Sequence, residues 1–121
     1  MMENAETFRP SIVVDMRKNR IRIHKKTLHA LGDPGFVVLI INPGEHTLGI
    51  KCSTLDDKLA HRIRKSTIQK DCELYSKPLM AALHELCPAW DDRENYRLEG
   101  EIITEEKMAV FSMRDFARLE R

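Results

Sequence analysis

Residues 20–32 read Arg20-Ile21-Arg22-Ile23-His24-Lys25-Lys26-Thr27-Leu28-His29-Ala30-Leu31-Gly32. The first five alternate strictly, with Ile21 and Ile23 on one side and Arg20, Arg22 and His24 on the other. A period of two is the mark of a strand with one apolar face buried and one polar face exposed. At Lys25 the period changes. Lys25 to Leu31 forms two helical turns with Leu28 and Leu31 on one side, and Gly32 is a natural C-terminal stop.

Upstream, Ser11-Ile12-Val13-Val14 is short, β-branched and preceded by Pro10, which predicts a strand. Arg17-Lys18-Asn19 then turns the chain, Asn19 being a residue that tolerates a left-handed backbone. Downstream, Asp33-Pro34-Gly35 is a tight turn, and Phe36 to Ile41 is a strand apolar on both faces, hence central or at an interface. Asn42-Pro43-Gly44-Glu45 turns again and Thr47 to Cys52 returns as the second arm of a hairpin. Ser53 followed by Asp56 and Asp57, with Leu55, Leu59 and Ile63 at i, i+4 and i+8, predicts a helix over 53–65. Residues 66–72 are polar and read as a linker.

The second half follows a similar order. Ser76 to Leu83 matches His24 to Leu31 in pattern, with Pro78 in a first helical turn and Pro88 ending the segment. Tyr96 to Ile103 and Lys107 to Met113 form a second hairpin, and Ser112-Met113-Arg114-Asp115 predicts a C-terminal helix. The order strand, short helix, hairpin, helix therefore occurs twice, as in two degenerate repeats. The identity between copies is low, and the second carries extra residues around Trp90 to Asn95. The expected organisation is a flexible stretch at 1–10, a basic half at 11–65 and an acidic second repeat at 73–121. The expected fold class is α+β and mostly β.

The formal net charge of +1 conceals this division. Residues 1–70 hold 13 Lys/Arg and 7 Asp/Glu (+6), and residues 71–121 hold 7 and 12 (−5). Such a chain can offer its basic half to a polyanion, or dock it on an acidic half of a neighbour. The 121 residues, 42% of them hydrophobic, suffice for one compact core, which burial against a partner subunit would help. The acidic opening stretch is unlike a signal peptide, and the longest apolar run, Phe36 to Ile41, is too short to span a bilayer. With an odd count of 3 cysteines (Cys52, Cys72, Cys87), reduced thiols, a cytoplasmic location and no membrane partner are expected.

Residues 20–32 resemble the recognition segment of the AbrB/MraZ superfamily. That pattern runs Asp, a turn ending in Gly-Arg, an alternating strand, Pro, a two-turn helix, then Leu-Gly. Asn19-Arg20 stands where Gly-Arg would be, His24 where Pro would be, and Leu31-Gly32 closes the match. Four residues separate Asp15 from Arg20 where the family has three, and the match covers about residues 12–52. The resemblance implies a swapped-hairpin barrel, dimeric or larger assembly, and DNA binding near the Asp-to-Arg turn. It points to Asp15 and Arg20 as the signature pair.

Charge adds the neighbours. Six of the ten residues from Arg17 to Lys26 are Lys or Arg. Each phosphate such a patch neutralises releases counterions, and a β ribbon can also enter the major groove, where Arg reads guanine. The expected interface to double-stranded DNA is Asp15, Arg17, Lys18, Asn19, Arg20, Arg22, His24, Lys25 and Lys26, in a transcriptional regulator that is a homo-oligomer. The alternatives are a solvated strand edge, in which Lys and Arg block aggregation, and a non-enzymatic assembly module using the two charged halves.

Other chemistry is poorly represented. His84 and Cys87 at i, i+3 could join Cys72 on zinc, but no spacing places a fourth ligand. No cysteine has an identifiable His and orienting group, and Asp91-Asp92 and Glu105-Glu106 sit at predicted turns. Five scattered glycines form no phosphate loop. No enzyme activity, cofactor or metal is expected. Trp90, Tyr96, Phe111 and Phe116 read as core or interface residues.

Overall fold

The computed structural model describes residues 8–65 and 71–119. The chain runs β1 (Ser11–Asp15), β2 (Arg20–His24), α1 (Lys25–Ala30), β3 (Phe36–Asn42), β4 (Thr47–Ser53), β5 (His61–Arg62), β6 (Arg64–Lys65), β7 (Asp71–Tyr75), α2 (Lys77–Leu86), β8 (Asn95–Ile103) and β9 (Met108–Leu119). All strand pairings are antiparallel, in the order β5-β3-β4-β9-β8-β1-β2-β7-β6. β5 and β6 are two halves of one strand broken at Ile63. The first half pairs with β3 and the second with β7, so the ends of the sheet meet in a nearly closed barrel of eight strands. Near-closure removes most of the free edge on which an open sheet would aggregate.

Alternation decides which side faces in. Cross-strand register lines up Leu98, Ile12, Ile23 and Cys72 in one row, and Tyr96, Val14, Ile21 and Leu74 in the next. All eight are buried. From the other wall come Leu48, Ile50, Phe111 and Met113, while α2 contributes Leu79, Met80 and Leu83. Each fully buried aliphatic or aromatic side chain contributes about 1.5–3 kcal/mol by leaving water.

The helices begin as the sequence predicts. His24 Nδ1 accepts from the Lys26 N–H at 3.1 Å at the start of α1, and Ser76 Oγ accepts from the Leu79 N–H at 3.2 Å at the start of α2. Gly32, with φ 89°, ends the first turn region in the left-handed conformation a glycine adopts freely.

Two predicted helices are absent. Residues 53–65 leave β4 at Ser53, turn, and return as β5 and β6. Leu55 and Leu59, the expected apolar stripe, are 70% and 78% exposed. Asp57 explains the departure. Its carboxylate accepts from the Leu59 N–H and the Ser53 hydroxyl, both at 2.9 Å, and this side-chain turn replaces the helical backbone bond. The C-terminal helix is replaced by the second half of β9. Ser112 Oγ does accept from the Arg114 N–H at 3.2 Å, yet the chain runs straight on, because Phe116 to Leu119 finds a waiting edge in Asn95 to Leu98 of β8. Tertiary pairing overrides a local capping signal there.

The predicted strand at 36–41 forms as β3, between β4 and β5, but only Val37 is fully buried and Ile40 is 42% exposed. Of the predicted linker, Asp71 and Cys72 belong to β7, and 66–70 lie outside the described residues. The stretch expected to be flexible falls mainly on residues 1–7, also outside them. Strands from residues 11–65 and 71–119 alternate around the same barrel.

β8 shifts register between Leu98 and Gly100, and a Cβ at Gly100 would collide with the Val110 backbone carbonyl. At Gly35 a Cβ meets nothing within 4 Å. Gly100→Ala should therefore lower the urea unfolding free energy by about 2 kcal/mol or more, and Gly35→Ala should change it by less than about 1 kcal/mol. Equal effects on the denaturation midpoint would contradict the bulge geometry.

Candidate nucleic-acid interface

The outer face of β1, β2, β7 and β6 carries the charges that alternation keeps out of the core. Register places Arg97, Val13, Arg22, Glu73 and Arg64 in one row across five strands. Asn95, Asp15, Arg20 and Tyr75 form the next, and His24 stands opposite Asp71. Ile21 and Ile23 between the arginines are 0% exposed. The cationic side chains of β2 thus share one face, as the sequence pattern requires.

Within that face the residues divide into two groups. Asp15 and Arg20 belong to a bonded network. The Arg20 Nε donates to Asp15 Oδ2 at 2.9 Å and Nη1 donates to Glu73 Oε2 at 2.7 Å. Tyr75 donates its hydroxyl to Glu73 Oε1 at 3.0 Å, and the Lys18 N–H donates to Asp15 Oδ1 at 3.1 Å. Asn95 reaches the same oxygen at 3.1 Å when its amide nitrogen faces inward. Burial works against the Arg20 charge, but hydrogen bonds with Asp15 and Tyr75 and the charges of Asp15 and Glu73 outweigh it and hold the pKa above its ordinary value. Asp15 is only 4% exposed. The signature pair is thus drawn inward as a staple between the first hairpin and β7, with little left to offer a ligand.

The second group is free to meet solvent. Arg17 and Lys18 are exposed on the turn after β1. Asn19, with φ 55°, takes the left-handed turn position, and its carbonyl accepts from the Ser76 N–H at 3.0 Å. Turn formation is its visible work. Arg22 is half-buried, with a shielded Nε that has no hydrogen-bond partner among the described residues. His24, Lys25 and Lys26 are exposed where β2 becomes α1. The exposed cations therefore sit at the two ends of β2, separated by a five-residue strand about 17 Å long.

Three arginines lie outside the interface that the sequence pattern marks. The helical spacing over 53–65 takes in Arg62 and Arg64, and no pattern marks Arg97. Arg64 lies opposite Glu73 with its guanidinium 5.6 Å from the Tyr75 ring centre, and Arg62 stands 5.1 Å from that of Phe36. A signal existed. Arg62-Ile63-Arg64 repeats the alternation of Arg20-Ile21-Arg22, with Ile63 packed against the core.

Elsewhere, Trp90 stacks on Tyr96 at 4.5 Å, and Phe116 meets both edge-on. Trp90, Tyr96 and Phe111 are buried, while Phe116 is 43% exposed. Among the described residues no three His, Cys, Asp or Glu side chains are grouped to hold a metal ion, and no helix is long and apolar enough to cross a membrane. Comparison with family models, curated proteins and solved structures finds no match to this chain.

Arg20→Ala would leave Asp15 buried and Glu73 without its ion pair, at a cost of about 2–3 kcal/mol. Arg17→Ala should stay within about 0.5 kcal/mol of the wild type, as expected for an exposed turn residue. Chemical denaturation of the two variants separates the structural arginine from the free one.

Proposed function

We propose that this protein is a DNA-binding transcriptional regulator that grips duplex DNA with the exposed cations flanking β2. The observation that carries the reading is the common outward face of β2, where alternation holds Arg22 and His24 out while Ile21 and Ile23 anchor the strand. Arg17 and Lys18 at one end, and Lys25 and Lys26 at the other, supply the phosphate contacts. A strip of about 17 Å exceeds the ~12 Å width of the major groove, so both rims lie within reach. Arg62 and Arg64 widen the strip on the far side of β7. Asp15, Arg20 and Asn19 shape the turn that presents it.

We further propose that the barrel is of the swapped-hairpin, AbrB/MraZ-like kind, formed by two degenerate repeats. Strand pairing supports this. With the boundary moved from the expected residue 65 to before β5, so that residues 61–65 open the second repeat, β1-β2-α1-β3-β4 and β5/β6-β7-α2-β8-β9 have the same order. Equivalent strands pair with each other, β2 with β7 and β4 with β9, and each first hairpin joins the other repeat's second, β1 to β8 and β5 to β3. The strand order thus maps onto itself when the two halves exchange. A cytoplasmic regulator of this kind keeps its three cysteines as thiols.

A second reading, a homo-oligomeric assembly module, draws on the exposed Ile40 and Phe116. It also draws on β9 beyond Met113, whose outer edge has no strand neighbour among the described residues. Sedimentation at low and high salt divides its forms, since an assembly held by charge dissociates as salt rises and one held by apolar contact persists.

Fluorescence anisotropy with duplex DNA tests the first reading. Affinity should fall with salt at a log–log slope of about −0.9 per phosphate contacted, and the Arg17→Ala/Lys18→Ala double variant should weaken binding and flatten that slope by about 2. Binding that is absent at low ionic strength, or indifferent to salt, rejects it.

A further inference from the structure

Beside α1 lies a groove of about 580 Å³, a volume typical of small-molecule sites. Its floor is apolar. Leu28, 4% exposed, forms part of it, with Ile63, Pro34 and the Phe8 ring around it. Lys25 and Lys26, both exposed, stand in the same lining. Among the described lining residues His29 and Asp33 are the other charged or imidazole side chains, with Nδ1 and Oδ2 3.0 Å apart. Among the described residues, two exposed lysines thus line an apolar trough whose one carboxylate, that of Asp33, is hydrogen-bonded to His29.

We infer that this groove binds a small amphiphilic carboxylate, its hydrocarbon body along Leu28 and Ile63 and its head group on Lys25 and Lys26. Neither part of the site suffices alone. Exposed lysines hold a free anion weakly because both ions stay hydrated and screened. An alkyl chain seated on the apolar floor supplies most of the affinity, and the two ammonium groups fix its direction. The inference shares Lys25 and Lys26 with the DNA-binding reading but does not rest on it, and it is tested without DNA.

The probes are hexanoate, octanoate and decanoate, kept below their micellar concentrations, with decanol as the uncharged control. Binding to the full chain is followed by the NMR signals of the Leu28 and Ile63 methyl groups. Each buried methylene should tighten binding by about fourfold. Decanol should bind about tenfold or more weakly than decanoate, and so should decanoate to the Lys25→Ala/Lys26→Ala variant, whose two positions are exposed and leave the core unaltered. The inference is overturned if affinity is flat across the chain lengths, if Leu28 and Ile63 do not shift, or if removing the lysines changes nothing.

Discussion

The barrel depends on the seam between β2 and β7, and Arg20 closes that seam. It reaches back within its own hairpin to Asp15 and across to Glu73, a residue 53 positions further along the chain. A guanidinium is suited to this because its donors are fixed in a plane and can satisfy two carboxylates at once. The isoleucine rows beneath supply the larger stabilisation, but hydrophobic burial is indifferent to small shifts along a strand. A two-residue slip of β2 against β7 would keep Ile21 and Ile23 inside; in one direction it would carry Arg20 away from Glu73, and in the other it would set the two directly opposite. The ion network therefore opposes one of the slips that alternation alone leaves open.

That duty changes how the cationic face is read. A strand rich in arginine is not automatically a strand rich in available charge. Arg20 is spent within the protein, and Glu73 also stands opposite Arg22 and Arg64. The charges that β2 and its flanks leave to act on a partner are those where the backbone turns or changes period, at Arg17 and Lys18 and again at Lys25 and Lys26, with Arg62 and Arg64 exposed beyond β7. On the proposed reading, specificity and grip come from the ends of β2, and its middle is scaffold. The groove beside α1 shares Lys25 and Lys26 with that surface, so one pair of lysines stands between two chemically different partners.

Much of the architecture was legible from local patterns. The alternation of Arg20 to His24, the glycine after Leu31, the Asn-Pro-Gly turn at 42–44 and the serine at 76 each imposed a conformation through nearest neighbours, and each is found. The errors fell where local signals were sound but outbid. The Leu55, Leu59 and Ile63 spacing suits a helix, yet Asp57 captures the Leu59 N–H and the chain is needed to seal the gap between β3 and β7. Ser112 makes its cap bond, yet β8 offers the following residues a full ladder.

The chain's periodicities and turn residues by themselves determined a mostly-β protein with an inward isoleucine row, an outward basic row and two short helices, while the two helices they marked with serine caps, at Ser53 and Ser112, did not form. Only the tertiary structure decided which strands are neighbours, that residues 61–65 close a barrel, and that Arg20 is consumed while Arg17, Lys18, Lys25 and Lys26 remain free. The reason is one of range. Backbone preference and alternation act over a few residues, whereas the pairing of Arg20 with Glu73 and of β9 with β8 joins distant segments, and its energy exists only once they meet.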